Sequence, residues 1–352
     1  MTAESHIGNG IASTGHPVTP ARAQLPVPIL DIAGVRKEFV LEQSLLSRLL
    51  GEERRVVALD GITLSISQGE VLGLVGESGC GKSTLAHAIA RLTDIDAGSI
   101  RYRGEDIASL RGKRLRPFRH RVQVVFQDSQ SSLNPRKKVG RTLEDSLRTR
   151  GVPREQRSRK AIETLALVGL GAVIMNRYPH ELSGGQRQRV GIARALAMEP
   201  EFLIADEPVS SLDVSLSGQI VNLLMKLRET LGLTMLFVSH DLAIVGHVST
   251  RVAVLYAGRV VEIGTPDEVL RSPAHPYTQA LLASVPKGLA GRMKGREVIK
   301  GEPPDPANLP SGCRFYSRCP RAFGLCREKY PAAVTVSETH VAECHLLEGA
   351  GP

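Results

Sequence analysis

The sequence predicts an α/β fold in which a mixed, largely parallel sheet is covered by helices on both faces. Buried parallel strands read as continuous apolar runs, and four such runs occur, at 71–75, 122–126, 202–205 and 234–238. Helical spacing separates them at 187–198 and 216–230, and strands alternating with helices indicate a parallel sheet. A strand–turn–strand pattern at 251–264, around Ala257-Gly258, predicts an antiparallel edge.

The remaining elements follow in chain order. Residues 1–27 are polar and contain no apolar core, so we interpret them as a disordered tail rather than a secretory signal. Residues 55–66 alternate around Asp60-Gly61, which predicts a short antiparallel pair. A mostly helical insertion is expected at 128–186, within a main domain at 28–290. Residues 291–352 are expected to form a small, irregular extension that carries four cysteines.

Composition narrows the function without deciding it. The chain of 352 residues carries a net charge of +9, and residues 111–121 contain six Lys/Arg and no acid. Such a run faces nucleic acid, an anionic membrane surface or only water, and charge does not discriminate among these. With no Trp and 4% aromatic residues, a base-stacking surface is disfavoured. No run of about 18 apolar residues occurs, so no membrane span is predicted and a cytoplasmic location is expected.

A phosphate-binding loop is predicted at 76–84, where GESGCGKST lies between an apolar strand and a helical pattern. Backbone N–H groups of such a loop bind phosphates, its lysine reaches the β- and γ-phosphates, and its serine can ligate Mg²⁺. Cys80 is interpreted as a small filler within the loop. The predicted nucleotide contacts are Gly76, Ser78, Gly79, Cys80, Gly81, Lys82, Ser83 and Thr84.

Two acids follow the apolar run FLIA. Asp206 is expected beside Mg²⁺ at the carboxyl edge of the sheet, and Glu207 is positioned to polarise the attacking water. Phosphoryl transfer depends mainly on positioning and charge compensation. An acid pair alone is weak evidence, but downstream of a phosphate loop it is strong.

The motif LSGGQ at 182–186, followed by RQRVGIARAL, resembles the ATP-binding subunits of ABC transporters. The resemblance covers about 30–290 and adds further motifs in the family's order. It implies a Q-loop glutamine at Gln127, also a Mg²⁺ ligand with Ser83 and Asp206, a D-loop aspartate at Asp213 and a switch histidine at His240. Phe39 is the candidate for stacking on adenine, with a core phenylalanine as the alternative.

The family implies that ATP lies between two subunits, one of which supplies the phosphate loop and the acid pair. The other subunit supplies the LSGGQ loop, so that the following residues act in trans: Ser183, Gly184, Gly185 and Gln186. One set of motifs per chain implies pairing with a second ATPase subunit, as a heterodimer or a homodimer. ATP would close the dimer and hydrolysis would reopen it.

A closer resemblance rests on SLNPRKKVG at 132–140 and HPYTQALLASVP at 275–286. With YPHELSGGQRQR and ADEPVSSLDVS, these are similar to the dipeptide and oligopeptide importer group, especially its F-type ATPase. The resemblance implies two transmembrane permease subunits, an extracytoplasmic substrate-binding protein, and a peripheral position on the cytoplasmic face of the inner membrane. Nucleic acid is not an expected partner. A soluble ABC ATPase acting on DNA or ribosomes and an exporter ATPase are the alternatives.

Cys313, Cys319, Cys326 and Cys344 form the pattern C-x5-C-x6-C-x17-C. A reducing compartment disfavours disulfides, and the spacing matches no familiar zinc or ferredoxin pattern. The number of thiols nevertheless suits zinc or a [4Fe–4S] cluster. Some of the peptide-importer ATPases that the chain resembles carry an iron–sulfur cluster in such a tail. An iron–sulfur cluster is therefore expected, with zinc or four reduced thiols as alternatives.

Overall fold

The computed structural model describes residues 28–40, 54–127, 132–284 and 301–349. The predicted disordered tail at 1–27 lies outside these residues. The strands are β1 (Pro28–Val40), β2 (Arg55–Ser67), β3 (Val71–Val75), β4 (Ala97–Tyr102), β5 (Glu105–Asp106), β6 (Val122–Val125), β7 (Phe202–Asp206), β8 (Thr234–Val238), β9 (Arg251–Tyr256), β10 (Arg259–Gly264), β11 (Ala333–Thr335) and β12 (Val341–Glu343).

The helices lie between these strands and after them. They are α1 (Lys82–Ile89), α2 (Leu115–Arg121), α3 (Val139–Arg150), α4 (Arg154–Leu167), α5 (Gly184–Leu196), α6 (Val214–Leu231), α7 (Leu242–Val248), α8 (Pro266–Arg271), α9 (Pro276–Ala283) and α10 (Gly324–Glu328). Helices α3 and α4 lie in the segment predicted as a helical insertion.

The main sheet has eight strands in the order β11-β12-β10-β9-β3-β8-β7-β6. Strands β9, β3, β8, β7 and β6 are parallel, whereas β10, β12 and β11 pair antiparallel at one side. The mixed sheet with an antiparallel edge is therefore confirmed. A separate antiparallel sheet, in the order β2-β1-β4-β5, covers part of one face.

Every residue of β3, β7 and β8 is buried because both faces of the sheet are covered. Successive residues of a strand point to opposite faces. On β3, Val71 and Val75 join a core with helices α3 and α4, while Leu72 and Leu74 join a core with β1 and β2. This two-sided burial explains why these strands read as uninterrupted apolar runs.

One predicted element is wrong. Residues 55–66 do not form a hairpin, because β2 runs continuously through Asp60-Gly61 and pairs with β1. The register shifts here: Val35 pairs with Ile62 but Lys37 pairs with Leu59, so an extra residue bulges from β2. Gly61 takes a φ of 75°, which suits such a β-bulge as well as a turn. Asp60-Gly61 therefore marks a β-bulge in β2 and not a hairpin turn.

The extension after residue 301 is less irregular than the sequence suggests. Its strand β12 pairs with β10 through Glu262↔Ala342 and Ile263↔Val341, and β11 pairs with β12. The last segment of the chain thus continues the main sheet. It also lies close to the loop that follows β3, as described below.

Candidate active site

The predicted phosphate loop connects the buried strand β3 to helix α1. Gly76 and Gly81 have φ angles of 153° and 109°, outside the range that side-chain-bearing residues favour. A Cβ atom at Gly76 would lie 2.2 Å from the Leu255 carbonyl oxygen, and one at Gly81 would lie 2.5 Å from that of Ala58. The loop is thus pressed against β9 and β2, and glycine is required at both positions.

Lys82 is buried at the first position of α1, and its ammonium group lies inside the loop. Its Nζ donates to the carbonyl oxygens of Gly76 and Glu77, each at 2.9 Å. It also lies 3.9 Å from the Cys80 sulfur, and burial raises the pKa of that thiol. Cys80 is therefore buried with a neutral thiol, while Ser78 and Gly79 are exposed. The Lys82 ammonium therefore places a positive charge inside the loop, where it could balance the negative charge of a phosphate.

Ser83 and Asp206 come together from α1 and the end of β7. The Ser83 hydroxyl donates to Asp206 Oδ1 at 3.2 Å, and Thr84 is the next residue of the helix. Burial raises the pKa of Asp206, opposed by His87, whose Nε2 lies 3.7 Å from Oδ2. A hydroxyl and a carboxylate are oxygen ligands of the kind that Mg²⁺ prefers.

Glu207 continues directly from Asp206 and contacts His240. Its Oε2 lies 3.4 Å from His240 Nδ1, and the histidine side chain is 62% exposed. Glu207 has a φ of 45°, uncommon for a residue with a side chain. Its N–H donates to the Val238 carbonyl at the end of β8. The strained backbone turns this carboxylate toward the histidine that follows β8.

Gln127 and Phe39 lie on elements that border this site. Val125 pairs with Ala205, so the chain leaving β6 emerges at the same edge as Asp206, and Gln127 is exposed there. Phe39 pairs with Val56 on β2, two residues from Ala58, which contacts the phosphate loop. Residue Phe39 is 41% exposed, so it is not a core phenylalanine.

The LSGGQ segment forms the start of α5. Ser183 is the N-cap: its hydroxyl accepts from the Gln186 N–H at 3.3 Å, and the Gln186 side chain accepts from the Ser183 N–H at 3.1 Å. A Cβ at Gly184 would lie 3.4 Å from Leu212, and one at Gly185 would lie 3.3 Å from Leu216. Gly185 therefore packs closely against Leu216 of α6, whereas a side chain at Gly184 would make only an ordinary contact with Leu212.

Asp213 caps the neighbouring helix α6. Its Oδ1 accepts from the Leu216 N–H at 2.9 Å and from the Ser215 hydroxyl at 2.8 Å, and the backbone hydrogen bond lowers the pKa of Asp213. The next residue, Val214, is 92% exposed. The Asp213 carboxylate is thus held in place by hydrogen bonds, and the apolar side chain of Val214 beside it is exposed to solvent.

The four C-terminal cysteines line one small cavity together with His275 and His345. Burial raises the pKa of Cys313 to about 12, and the other three sulfurs add to the shift. The pKa of Cys344 is also raised, mainly by burial. Within the described parts of the chain, no group of three or more His, Cys, Asp or Glu is arranged to hold a metal ion.

Two features of the site were missed by sequence reasoning. His87 lies one helical turn after Ser83, so its proximity to Asp206 was readable from the i,i+4 spacing. The second feature is distant in sequence: Tyr277 and Arg318 both bind Glu77 of the phosphate loop. Tyr277 is 200 positions from Glu77 and Arg318 is 241 positions from it, and no local sequence pattern signals contacts over such separations.

The site brings together a phosphate loop, an acid pair and a histidine. Comparison with known proteins shows which family has this combination. The family model described as ABC transporter matches residues 59–210. The oligopeptide transport ATP-binding protein AppF of Bacillus subtilis is 46% identical over 322 residues, covering 90% of this chain and 97% of that protein. The chain belongs to the ABC transporter ATP-binding proteins. It is an ATPase, and the predicted family is confirmed.

This ABC ATPase also carries a second family region. A model described as the C-terminal region of oligopeptide/dipeptide transporters matches residues 261–326, which include Tyr277 and Arg318. A putative peptide import ATP-binding protein of Brucella ovis is 44% identical over 321 residues, covering 90% of this chain and 97% of that protein. The peptide-transporter resemblance drawn from 275–286 is therefore confirmed.

Solved structures share the fold of the ABC ATPase. The dimeric, post-hydrolysis structure of the cassette MJ0796 bound to ADP and Pi has a TM-score of 0.59 and 30% identity, covering 67% of this chain and 98% of that one. The cbiO1 protein of Clostridium perfringens has a TM-score of 0.59 and 29% identity, covering 70% and 91%. Among the described residues, none of the helices is long and apolar enough to cross a membrane.

Proposed function

We propose that this ABC ATPase powers the import of dipeptides or oligopeptides through partner membrane subunits. The observation that carries the proposal is the joining, in one chain, of an assembled phosphate-loop site and the oligopeptide/dipeptide transporter C-terminal region. The cargo is recognised elsewhere, by an extracytoplasmic binding protein and two permeases. The ATPase lies on the cytoplasmic face of the cell membrane, peripheral to it, and does not act on nucleic acid.

Each polar residue of the site has a proposed role. Lys82 binds the β- and γ-phosphates of Mg·ATP, while Ser83 and Asp206 hold the Mg²⁺ that accompanies it, with Gln127 as a further ligand. Glu207 aligns the attacking water, and His240 contacts the γ-phosphate region. The 3.2 Å contact between the Ser83 hydroxyl and the Asp206 carboxylate supports the magnesium assignment.

Adenine and the partner subunit complete the site. Phe39 stacks on the base, which its exposed side chain permits. A second ATPase subunit contributes the LSGGQ loop in trans, so that the start of its α5 faces the γ-phosphate. Asp213 and the exposed Val214 belong to the same interface. Binding of ATP closes the dimer, and loss of the γ-phosphate reopens it.

Transport is the decisive test. The ATPase is co-expressed with its candidate permeases and binding protein, and the complex is reconstituted in lipid vesicles with a panel of dipeptides, longer peptides, nickel and glutathione. ATP hydrolysis is expected to rise when the peptide-loaded binding protein is supplied, and labelled peptide should accumulate. Hydrolysis that responds to nickel or glutathione and not to any peptide would overturn the assigned cargo.

For the cysteine cavity we propose an iron–sulfur cluster, with zinc and four reduced thiols as the alternatives. All four cysteines line one cavity, and burial raises the pKa of the Cys313 and Cys344 thiols. Four thiols are the number of ligands that a [4Fe–4S] cluster needs. Such a cluster would stabilise the fold of the extension.

The cluster is tested by purification without oxygen. A brown protein with broad absorbance that is lost in Cys319→Ser, together with iron by elemental analysis, would support it. Colourless protein that contains zinc, or no metal, would contradict it. Neither result tests the assignment of the phosphate loop as the ATP site.

A further inference from the structure

Glu77, the second residue of the phosphate loop, is held from outside the loop. Its backbone N–H donates to the Tyr277 hydroxyl oxygen at 2.9 Å, from the start of α9. Its carboxylate accepts from Arg318 Nη1 at 2.7 Å and from Nη2 at 2.9 Å. Its carbonyl accepts from Lys82 Nζ. One residue thus connects the lysine expected to bind phosphate to the C-terminal part of the chain.

The pair formed by Arg318 and Glu77 is geometrically demanding. Two parallel N–H···O bonds fix the plane of the guanidinium relative to the plane of the carboxylate. A lysine cannot reproduce this two-bond geometry. The Arg318 side chain is 5% exposed and that of Glu77 is 23% exposed, so solvent screens the contact weakly. The hydrogen bonds to Glu77 raise the pKa of Arg318. Removal of Glu77 would leave the buried Arg318 guanidinium with fewer hydrogen-bond partners, and its Nε already has none.

An aromatic cluster fixes the two residues that contact Glu77. The ring of Tyr256 lies 4.3 Å from that of Tyr277 and 5.4 Å from that of Phe315, and Phe315 is fully buried. Arg318 donates to the Tyr256 hydroxyl at 3.2 Å and its guanidinium lies 5.8 Å from the ring centroid. Close-packed rings of this kind allow little movement. The aromatic cluster therefore holds Tyr277 and Arg318 in fixed positions beside Glu77.

Arg318 also sits among the C-terminal cysteines. It ends the short 3-10 turn Tyr316–Arg318, and Cys319 is the next residue. Its N–H donates to the Phe315 carbonyl, and Cys313 accepts from the Tyr316 N–H in the same turn. The part of the chain that lines the cysteine cavity is therefore the part that holds the phosphate loop.

We propose that Arg318 of the C-terminal extension and Tyr277 of α9 are positioning residues for ATP binding, through which the C-terminal part of the chain sets the conformation of the phosphate loop. They do not touch the nucleotide. They fix the Glu77 peptide, so that the N–H groups after it and the Lys82 ammonium are arranged for phosphate before ATP arrives. Preorganisation of this kind contributes to affinity because less order has to be imposed on binding. The proposal rests on the ATP-binding role of the loop.

The test uses the full chain, with fluorescent ATP titration, steady-state hydrolysis and thermal unfolding measured on each variant. Tyr277→Phe removes one hydroxyl and is expected to weaken ATP binding about 3-fold. Arg318→Ala should weaken binding about 10-fold or more, with KM rising more than kcat falls, and Arg318→Lys should rescue it only in part. Arg327→Ala, an exposed arginine on the same extension, is the matched control and should bind ATP like the wild type.

A double-mutant cycle separates positioning from mere stability. If Arg318 acts through Glu77, the losses in ATP affinity of Arg318→Ala and Glu77→Ala should be clearly less than additive. Lower melting temperatures with unchanged ATP affinity in Tyr277→Phe and Arg318→Ala would overturn the proposal. If Arg318→Ala does not fold, Tyr277→Phe decides. A wild type that fails to bind ATP in the same titration would instead refute the proposed function.

Discussion

The carboxyl edge of the sheet and the C-terminal extension both contain acids beside histidines, but they use them differently. At the edge, Glu207 lies 3.4 Å from a histidine whose side chain is 62% exposed. At the junction with the extension, Glu262 is fully buried and lies 2.7 Å from His340 Nε2. Its carboxylate also accepts from the N–H groups of Ala274 and His275. Glu207 and His240 therefore keep hydrogen-bonding capacity that a substrate could use. The Glu262 carboxylate has its hydrogen bonds satisfied within the protein.

This contrast indicates which polar residues serve the reaction and which serve the fold. An acid with spare hydrogen-bonding capacity and partial exposure can meet a ligand, whereas a buried acid with three partners cannot without leaving them unpaired. The pair made by Glu207 and His240 should therefore affect activity with little effect on stability. Those made by Glu262 should do the opposite.

The largest effect is expected for Glu207→Gln. Because the amide cannot polarise the attacking water, hydrolysis should fall by about 100-fold or more while ATP binding is retained. Steady-state phosphate release and fluorescent ATP titration measure the two quantities. Glu163→Gln, at an exposed position of α4, should hydrolyse ATP like the wild type. Hydrolysis in Glu207→Gln at the wild-type rate would show that this exposed pair is not catalytic.

Glu262→Ala tests the other side of the comparison. It leaves His340 and the N–H groups of Ala274 and His275 without their acceptor, and unpaired buried donors cost about 1–3 kcal/mol each. The free energy of unfolding should drop by about 3 kcal/mol, measured by denaturant titration. Glu302→Ala, at an exposed position of the extension, is the control. A stability loss no larger than that of the control would refute the structural role.

Lys82→Ala should weaken ATP binding itself. The substitution removes the buried ammonium, a charge-assisted donor, from the phosphate loop, and about a 10-fold loss of affinity is expected. Isothermal titration with Mg·ATP measures it, and Lys226→Ala on the surface of α6 is the control. Unchanged affinity would mean that the loop binds phosphate through its backbone alone.

The smallest effect is a pH dependence at the extension. Hydrogen bonds, first from the Ser337 hydroxyl and then from the Thr265 N–H, lower the pKa of Glu268 from 4.5 to about 2. The stability that this carboxylate contributes is thus present above pH 4.5 and is lost as the pH falls toward 2. The melting-temperature gap between wild type and Glu268→Gln should shrink over that window. Asp267→Asn, the exposed neighbour, should show a smaller change, and a constant Glu268→Gln gap would contradict the assignment.

Much of the active site was predictable because its signals are local. GESGCGKST fixes Lys82 and Ser83 by position, and the acids of FLIADE follow directly from the end of a buried strand. The strands themselves were predictable because burial on both faces makes them continuously apolar. These features depend on residues within a few positions of one another.

The remainder depends on long-range pairing or on an ambiguous local signal. Asp60-Gly61 predicted a turn because glycine at positive φ serves turns and bulges alike. Strands β11 and β12 have three residues each, too few to show a period, and they form because β10 offers them an edge. The contact of Arg318 with Glu77 spans 241 residues, and only the folded chain reveals it.

The pairing of β12 with β10 has a practical consequence for anyone who shortens this protein. A chain cut after residue 290 would end before β12, so that Arg259–Gly264 became the outermost strand of the sheet. Its free N–H and C=O groups would then be a template for strands of other molecules. We expect such a truncated protein to aggregate, even though the whole phosphate loop and both acids would remain. A soluble minimal version must therefore keep residues 301–349.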